Sequence, residues 1–294
     1  MNLSLFSSET VLQLPAPRPA AVALLVSDLT NPFFAEVIPA VEQRLSAAGF
    51  VTLVGNTAED RAQEERLLKT LRDFPPRGVL ICPALGPQGA GPAALNLAGR
   101  LPAVAFARPA AGLDYAGVDY GRGAQLAVEH FYQLGQRKIA FVGGNPAAPS
   151  TQERLEGYRQ ALRRHGLPLE PRWVVASAPS QAGGRRALEA LLQLEEPPAA
   201  AVCFNDLVAL GAMEALALRG KKPGAQFGVI GFNDVAAAAH SRPRLTTIDT
   251  APRQLGEAAA ELLLRRMARP EALIQTLVLQ PRLIVRESCG TLPY

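Results

Sequence analysis

Three histidines and three cysteines in 294 residues leave little material for metal or nucleophile chemistry. Cys82, Cys203 and Cys289 are odd in number and far apart, so they fit neither a zinc ligand set nor a disulfide framework, and a reducing compartment is expected. Cys82 and Cys203 each end an apolar run, the usual place of a buried structural thiol. His130, His165 and His240 stand alone and read as surface or internally satisfied histidines. No apolar run approaches the roughly 20 residues of a membrane span. The first residues, MNLSLFSSET, lack the basic region and compact apolar core of a secretory signal, so a cytoplasmic protein without a membrane partner is expected. No phosphate loop is present either. Gly121-Arg122-Gly123 opens like a dinucleotide fingerprint, but Leu126 stands where the third small residue belongs. With no GxSxG, no HExxH and no Cys–His pairing, neither an enzyme nor a bound cofactor or metal is expected.

Hydrophobic residues make up 48% and charged ones 19%, which describes a folded chain long enough for two lobes. The net charge of +4 is spread out, and a nucleic-acid surface would need a basic cluster with interleaved aromatics. The basic pairs Arg163-Arg164, Arg185-Arg186 and Lys221-Lys222 read instead as cations at or near helix C-termini, where they complement the dipole.

From Ala21 onward, short apolar runs alternate with amphipathic segments. Strands are predicted at Val22–Val26, Val51–Val54, Val79–Cys82, Ala103–Phe106, Ala116–Asp119, Ile139–Val142, Trp173–Ala176, Ala200–Phe204 and Phe227–Ile230. Helices are predicted over 32–48, 60–73, 121–134, 151–165, 181–193 and 206–219. This rhythm implies an α/β protein with parallel sheets wrapped by helices. Nine strands strain one sheet, so two Rossmann-like lobes are expected, with the break near Asp114 to Tyr120. The tail departs from the rhythm, with an extended run at 245–250, a helix at 252–268, and strands at 275–279 and 282–285. So late a helix and strand suggest that the chain crosses back to the first lobe and returns. The expected division is 1–19 as a connector stiffened by Pro15, Pro17 and Pro19, then 20–118 plus 250–278 as the N-terminal lobe, and 119–249 plus 279–294 as the C-terminal lobe.

The stretch VALLVSDLTNPFF, Val22 to Phe34, joins a buried strand to a helix capped by Asn31 and opened by Pro32. Ligands of open α/β sheets bind at such strand-to-helix loops. This loop carries a carboxylate, an amide and two rings: Asp28, Asn31, Phe33 and Phe34. Asp119, Asn205, Asn233 and Asp234 also follow apolar runs, so parallel lobes should gather all of these along one cleft.

VSDLTNPFF with AEVIPAVEQRLSAAGF resembles the start of the effector-binding core of LacI/GalR-type transcriptional regulators. GVLICP, AGVDYGRGAQLAVEHFYQLGQRKIAFVGG, QERLEGYRQAL, AVCFNDLVALGAMEAL, GVIGFND, LTTID and PRLIVRES follow in the family's order, so the resemblance covers residue 20 to the end. It implies a type I periplasmic-binding-protein-like fold crossed three times by the chain, a homodimer, and a small effector, usually a sugar, in the interlobe cleft. Asp28 and Phe33–Phe34 match the family's first-loop contacts, and Arg154 matches the arginine of its R-x-x-G-[YFW] helix start. Asp119 and Asn205 match cleft residues at the lobe crossings. The implied binding set also takes in Asn31, Arg108, Ser150 and Asn233. An aromatic wall suits the apolar face of a sugar, while carboxylates, amides and an arginine fork bond its hydroxyls. Ser150 and Glu153 have capping-box spacing at the helix start. Truncating Asp28 or Phe34 to Ala is expected to abolish binding and leave the fold intact.

The sequence departs from the family at three places. Asn233 stands where an aspartate is usual, and Ala107 stands where an acid commonly precedes the arginine, leaving Arg108 less neutralised. Both changes point to an effector that is a sugar acid, a sugar phosphate or another anion. Family members also begin with a helix-turn-helix domain of roughly 60 residues. Residues 1–19 hold none, so the chain alone is expected to bind no operator, DNA being reached only through such a head. A sugar-binding component of an ABC transporter is the alternative on the same fold.

Overall fold

Parallel strands covered by helices on both faces read as apolar runs, and Val22–Val26, Gly78–Ile81, Ala103–Phe106, Ile139–Val142, Ala200–Cys203 and Gly228–Phe232 are buried runs of this kind. In the computed structural model, which describes residues 20–86, 89–90 and 101–290, the elements run β1 (Ala21–Val26), α1 (Pro32–Ala47), β2 (Val51–Asn56), α2 (Arg61–Asp73), β3 (Gly78–Ile81), β4 (Leu85–Gly86), β5 (Gly89–Ala90), β6 (Ala103–Phe106) and β7 (Asp114–Val118). They continue with α3 (Tyr120–Gln133), β8 (Ile139–Val142), α4 (Pro149–Arg164), β9 (Val174–Val175), α5 (Gln181–Leu191), β10 (Ala200–Cys203), α6 (Asp206–Leu218), β11 (Gly228–Phe232) and α7 (Ala236–His240). Last come β12 (Thr246–Asp249), α8 (Pro252–Ala268), β13 (Thr276–Leu279) and β14 (Arg282–Ile284). The connector expected over residues 1–19 lies outside the described residues.

Two six-stranded sheets result, ordered β13-β7-β6-β3-β1-β2 and β14-β12-β11-β10-β8-β9, with β4 and β5 as a separate small hairpin. The first sheet is parallel throughout, Leu24 of β1 standing between Val54 of β2 and Leu80 of β3. In the second, β14 runs antiparallel to β12 and the other pairs are parallel. The chain passes between sheets three times: from β7 to α3, from β12 to α8, and from β13 to β14. At the first and third crossings the two segments are bonded to each other, the Asp119 N–H donating to the Leu279 carbonyl at 3.0 Å. One apolar cluster runs through both lobes, with Val22, Phe34 and Val104 on the first side and Ile139, Tyr158 and Phe232 on the second.

Three local expectations are corrected. α4 starts at Pro149 with Ala148 as an N-cap that has no side-chain bond. Proline's fixed φ suits the first helical position, so the helix begins before Ser150, and Ser150 and Glu153 form no capping box. Trp173 belongs to a 3-10 turn, Pro171–Trp173, and leaves only Val174–Val175 to pair as a strand. Arg185 and Arg186 lie in the middle of α5, not at its C-terminus.

Candidate functional site

The carboxyl ends of the strands from both sheets face one hollow of about 270 Å³. The first sheet's loops and helices contribute Ser27, Asp28, Asn31, Phe33, Phe34, Glu59, Cys82, Ala107 and Arg108, and the β4–β5 hairpin contributes Leu85. The second contributes Tyr120, Asn145, Ala148, Ser150, Arg154, Pro179, Phe204, Asn205 and Asn233. Nine of the ten residues expected from the sequence therefore meet here. Asp119 does not. Its Oδ1 caps α3 by accepting from the Arg122 N–H at 2.7 Å, and it lines a separate hollow with Tyr115, Glu153 and Gln160. The α3 N-terminus needs its acceptor on that side, so Asp119 turns away from the cleft while its neighbour Tyr120 turns in.

On the first wall, Asp28 is half-buried and its Oδ1 accepts from the Thr30 N–H at 2.9 Å and the Thr30 hydroxyl at 2.7 Å. Asn31 caps α1, its Oδ1 accepting from the Phe33 N–H at 3.1 Å. Phe33 and Phe34 are 5% and 3% exposed and pack edge to face with centroids 5.2 Å apart, while Phe34 meets Phe106 in the same way at 6.3 Å. They are core as much as wall, so truncation at Phe34 is not neutral for the fold. Arg108 is not under-neutralised either. Its Nη1 and Nη2 donate to the two Glu59 carboxylate oxygens at 2.8 and 2.6 Å, and Nη1 also donates to the Pro83 carbonyl at 3.0 Å. Burial works against its charge, and Cys82 and Glu59 beside it more than offset that, so its pKa is raised. The Cys82 thiol, buried on the cleft floor, is pushed up by desolvation.

The second wall is built around Arg154, one turn into α4 and 3% exposed. Its guanidinium carbon lies 3.9 Å from the Tyr120 ring centroid, 4.6 Å from that of Phe204 and 4.4 Å from that of Phe232. Nη1 donates to the Ser150 carbonyl at 2.8 Å, and Nε is buried with no partner. No carboxylate bonds it among the described residues. Burial pulls its pKa down to about 10, opposed by Tyr120 and Glu153, so it remains a cation at neutral pH. Asn205 caps α6 through Oδ1, which accepts from the Val208 N–H at 2.9 Å, and its Nδ2 donates to the Pro179 carbonyl at 3.2 Å. Asn233 has φ of 107°, followed by Asp234 at 56°, and accepts from the Thr250 hydroxyl at 3.4 Å. That turn is held by Asp206, 1% exposed, which accepts from the Val235 N–H at 2.8 Å and the Thr247 hydroxyl at 2.5 Å. Burial raises the Asp206 pKa to about 7, with the two hydrogen bonds opposing the rise. Asp234 itself turns away from the cleft to an ion pair with Arg286 at 2.7 Å.

Sequence reasoning missed Glu59, Tyr120 and Phe204. Tyr120 and Phe204 each adjoin a polar residue at a strand end, a signal that was available; the Glu59–Arg108 pair spans 49 residues and left none.

Two mostly parallel sheets, crossed three times by the chain and facing each other across a polar and aromatic cleft, define a two-lobed α/β core with a cleft between its lobes. The periplasmic binding protein-like domain family matches residues 128–289. The ribose operon repressor of Haemophilus influenzae is 31% identical over 92% of this chain and 81% of its own. Among solved structures, a LacI family transcriptional regulator from Enterococcus faecium with bound ribose is 26% identical, with a TM-score of 0.81 over 92% of this chain and 98% of that one. A complex of the transcriptional regulator CelR with cellobiose is 28% identical, with a TM-score of 0.83 over 94% of this chain and 86% of that one. The chain belongs to the LacI/GalR family of transcriptional regulators and carries their periplasmic-binding-protein-like core. These are regulators, not enzymes. Among the described residues no helix is long and apolar enough to cross a membrane.

Proposed function

We propose that this core senses a sugar or sugar-like effector in the interlobe cleft, forms a homodimer, and controls a DNA-binding head through the arrangement of its lobes. The observation that carries this is the meeting of the two walls. Asp28 and the Phe33–Phe34 edge supply acceptors and an apolar face, and Arg154, Asn205 and Asn233 supply donors and amides opposite. An effector spanning both walls binds one lobe arrangement better than another, and that differential affinity shifts the population. Residues 20–118 with 250–278, and 119–249 with 279–294, are the two bodies that move, in a cytoplasmic protein. Relatives with ribose and cellobiose bound support a saccharide ligand, and relatives named as repressors favour regulation over transport.

Thermal-shift screening of pentoses, hexoses and their acids tests this, since a ligand that binds the native state raises its apparent stability. The expected result is a stabilising ligand whose effect is lost in Asp28→Ala, a change at a half-buried residue whose side chain, among the described residues, bonds to Thr30 alone. A ligand that stabilises wild type and Asp28→Ala equally would place binding elsewhere.

A further inference from the structure

Asn233 reaches the cleft from a turn in a costly shape. Its φ of 107° and that of Asp234, 56°, lie where residues other than glycine are strained. Bonds from two later elements hold the turn in place. The Asn233 N–H donates to the Ile248 carbonyl of β12 at 2.8 Å, and Asp234 pairs with Arg286, after β14, at 2.7 Å. Asp206 closes the turn from within. This residue opens α6 next to Asn205, and its carboxylate accepts from the Val235 N–H at 2.8 Å and from the Thr247 hydroxyl of β12 at 2.5 Å. It lies so close on β11 that any side chain at Gly231 would collide with its Oδ1. Asp206 is 1% exposed and does not line the hollow, so it acts on the site only through this turn.

Two carboxylates therefore share the turn with one cation, and Asp234 holds that cation. Among the described residues no cation bonds Asp206. Beside it β10 brings the Cys203 thiol, pushed up by burial and by Asp206 itself, and β12 brings Asp249, which Arg282 engages at 2.8 Å. α7 has one ionisable group, His240 at its far end, and α5 sets the backbone of Arg185 against Gly211, more than a turn along α6. Glu214 lies further along α6 and is exposed. Across the gap between the lobes, the Glu36 carboxyl of α1 is raised by burial and by Asp234 and Asp249. Burial raises the Asp206 pKa to about 7 against its two hydrogen bonds, and Asp234 adds to the rise. Opening the turn admits water to this carboxyl and returns it toward its ordinary 3.8. The closed turn thus holds a proton that the open turn releases, and rising pH favours opening.

We infer that Asp206 is a positioning residue for effector binding: neutral, it clamps the Asn233 turn to β12 and keeps the Asn233 amide at the cleft, and ionised, it lets the turn loosen. The Thr250 hydroxyl, which donates to Asn233 Oδ1 at 3.4 Å, stands at the start of the second crossing. The same proton therefore acts on a segment that joins the lobes. The bearing on an effector rests on the cleft being its site; the clamp itself does not.

The test uses the whole chain and two readouts. The first is amide hydrogen exchange of the unliganded protein, corrected for the intrinsic pH dependence of exchange. The Val235 N–H should be less protected than that of Val202 on the adjoining β10. Its protection should fall about tenfold between about pH 6 and pH 8, the change imposed by one proton lost around pH 7. In Asp206→Asn, which has no proton to lose, it should stay level. The second readout is calorimetry with D-ribose and cellobiose, the sugars bound in two of the relatives. Whichever binds should lose affinity several-fold over the same range in the wild type and not in Asp206→Asn, so the variant binds more tightly at pH 8. If neither binds, the saccharide reading falls and exchange alone decides the inference. Protection at Val235 that equals that at Val202, or that does not vary with pH, overturns the clamp. A pH-independent affinity overturns its role in binding, and if Asp28→Ala abolishes that binding the cleft reading still stands. A response lost in Glu36→Gln and kept in Asp206→Asn assigns the proton to Glu36 and overturns the inference as well. Should Asp206→Asn fail to fold, Thr247→Val removes one of the bonds that oppose the rise and should move the midpoint of the exchange response to higher pH. An unmoved midpoint would overturn the inference.

Discussion

The two walls of the cleft solve the same problem in opposite ways. On the first, several polar groups lining the cleft already hold a partner: Arg108 is met by Glu59 and Pro83, one Asp28 oxygen by Thr30, and the Asn31 oxygen by the α1 N-terminus. On the second, the amides of Asn205 are used within the fold, but the strongest group, Arg154, keeps most of its donors free behind a cage of rings. Under the proposed function, the first wall is a largely bonded surface for a ligand to touch, and the second is one that a ligand would complete. A hydrogen bond to a charged group contributes roughly 1.5–3 kcal/mol. The second wall therefore has more to gain from an effector, although the first holds the more conspicuous residues.

The comparison can be broken most forcefully at Phe34. Its ring belongs to the first wall and to the core, so Phe34→Ala should cost about 3–5 kcal/mol of stability in denaturant unfolding, before any effect on binding. If the loss is below about 1 kcal/mol, the ring belongs to the cleft alone.

Asp206, which braces the second wall, gives the next largest effect. Its carboxyl pKa is raised in the folded state to about 7 from an ordinary value of 3.8. The folded protein therefore holds a proton that the unfolded chain has lost between these values. The resulting stabilisation is complete below about pH 4 and declines as pH rises through 7, by up to about 1.4 kcal/mol per pH unit. Asp206→Asn can still accept from the Val235 N–H and donate to a reversed Thr247 hydroxyl, so it should fold and lose this slope. An unchanged slope in the variant would assign the proton elsewhere.

Asp119→Ala should remove a helix cap worth about 1 kcal/mol and leave effector affinity unaltered, because this carboxylate faces the other hollow. A loss of affinity would return Asp119 to the cleft. The smallest change, Glu59→Gln, weakens the pairing of Arg108 and makes the first wall resemble the second. A partly exposed ion pair contributes about 0.2–1 kcal/mol, so stability in denaturant unfolding should fall by no more than that, and the sugar found by thermal shift should bind within a few-fold of wild type by calorimetry. Weaker binding would show that Glu59 itself accepts from the ligand.

What could be read in the chain follows from the range of each interaction. Strand–helix alternation is local, and α8 was legible over its whole length because Pro252 marks its start and the apolar stripe ends near Ala268. Asn31 as a cap followed from adjacent residues and is realised as such. Asp119 and Arg108 went astray for complementary reasons. The first is turned by its own helix's need for an acceptor, and the second is met by a glutamate brought in from the loop before α2. Arg154 was placed by resemblance and not by pattern. Its ring cage joins the start of α3, the end of β10 and the end of β11, three points that only the finished second sheet brings together.

Three segments link the lobes, and the first and third are tied to each other by the bond from Asp119 to Leu279. One strut would act as a swivel and two as a hinge with play. Three resist both torsion and sliding, and leave bending about a common line as the soft motion, like the spine of a book. A molecule pressed between the covers near that spine needs only a small displacement to set a much larger one at the far edge. Under the proposed function, the signal such a core emits is a single angle, read at the edge farthest from the hinge.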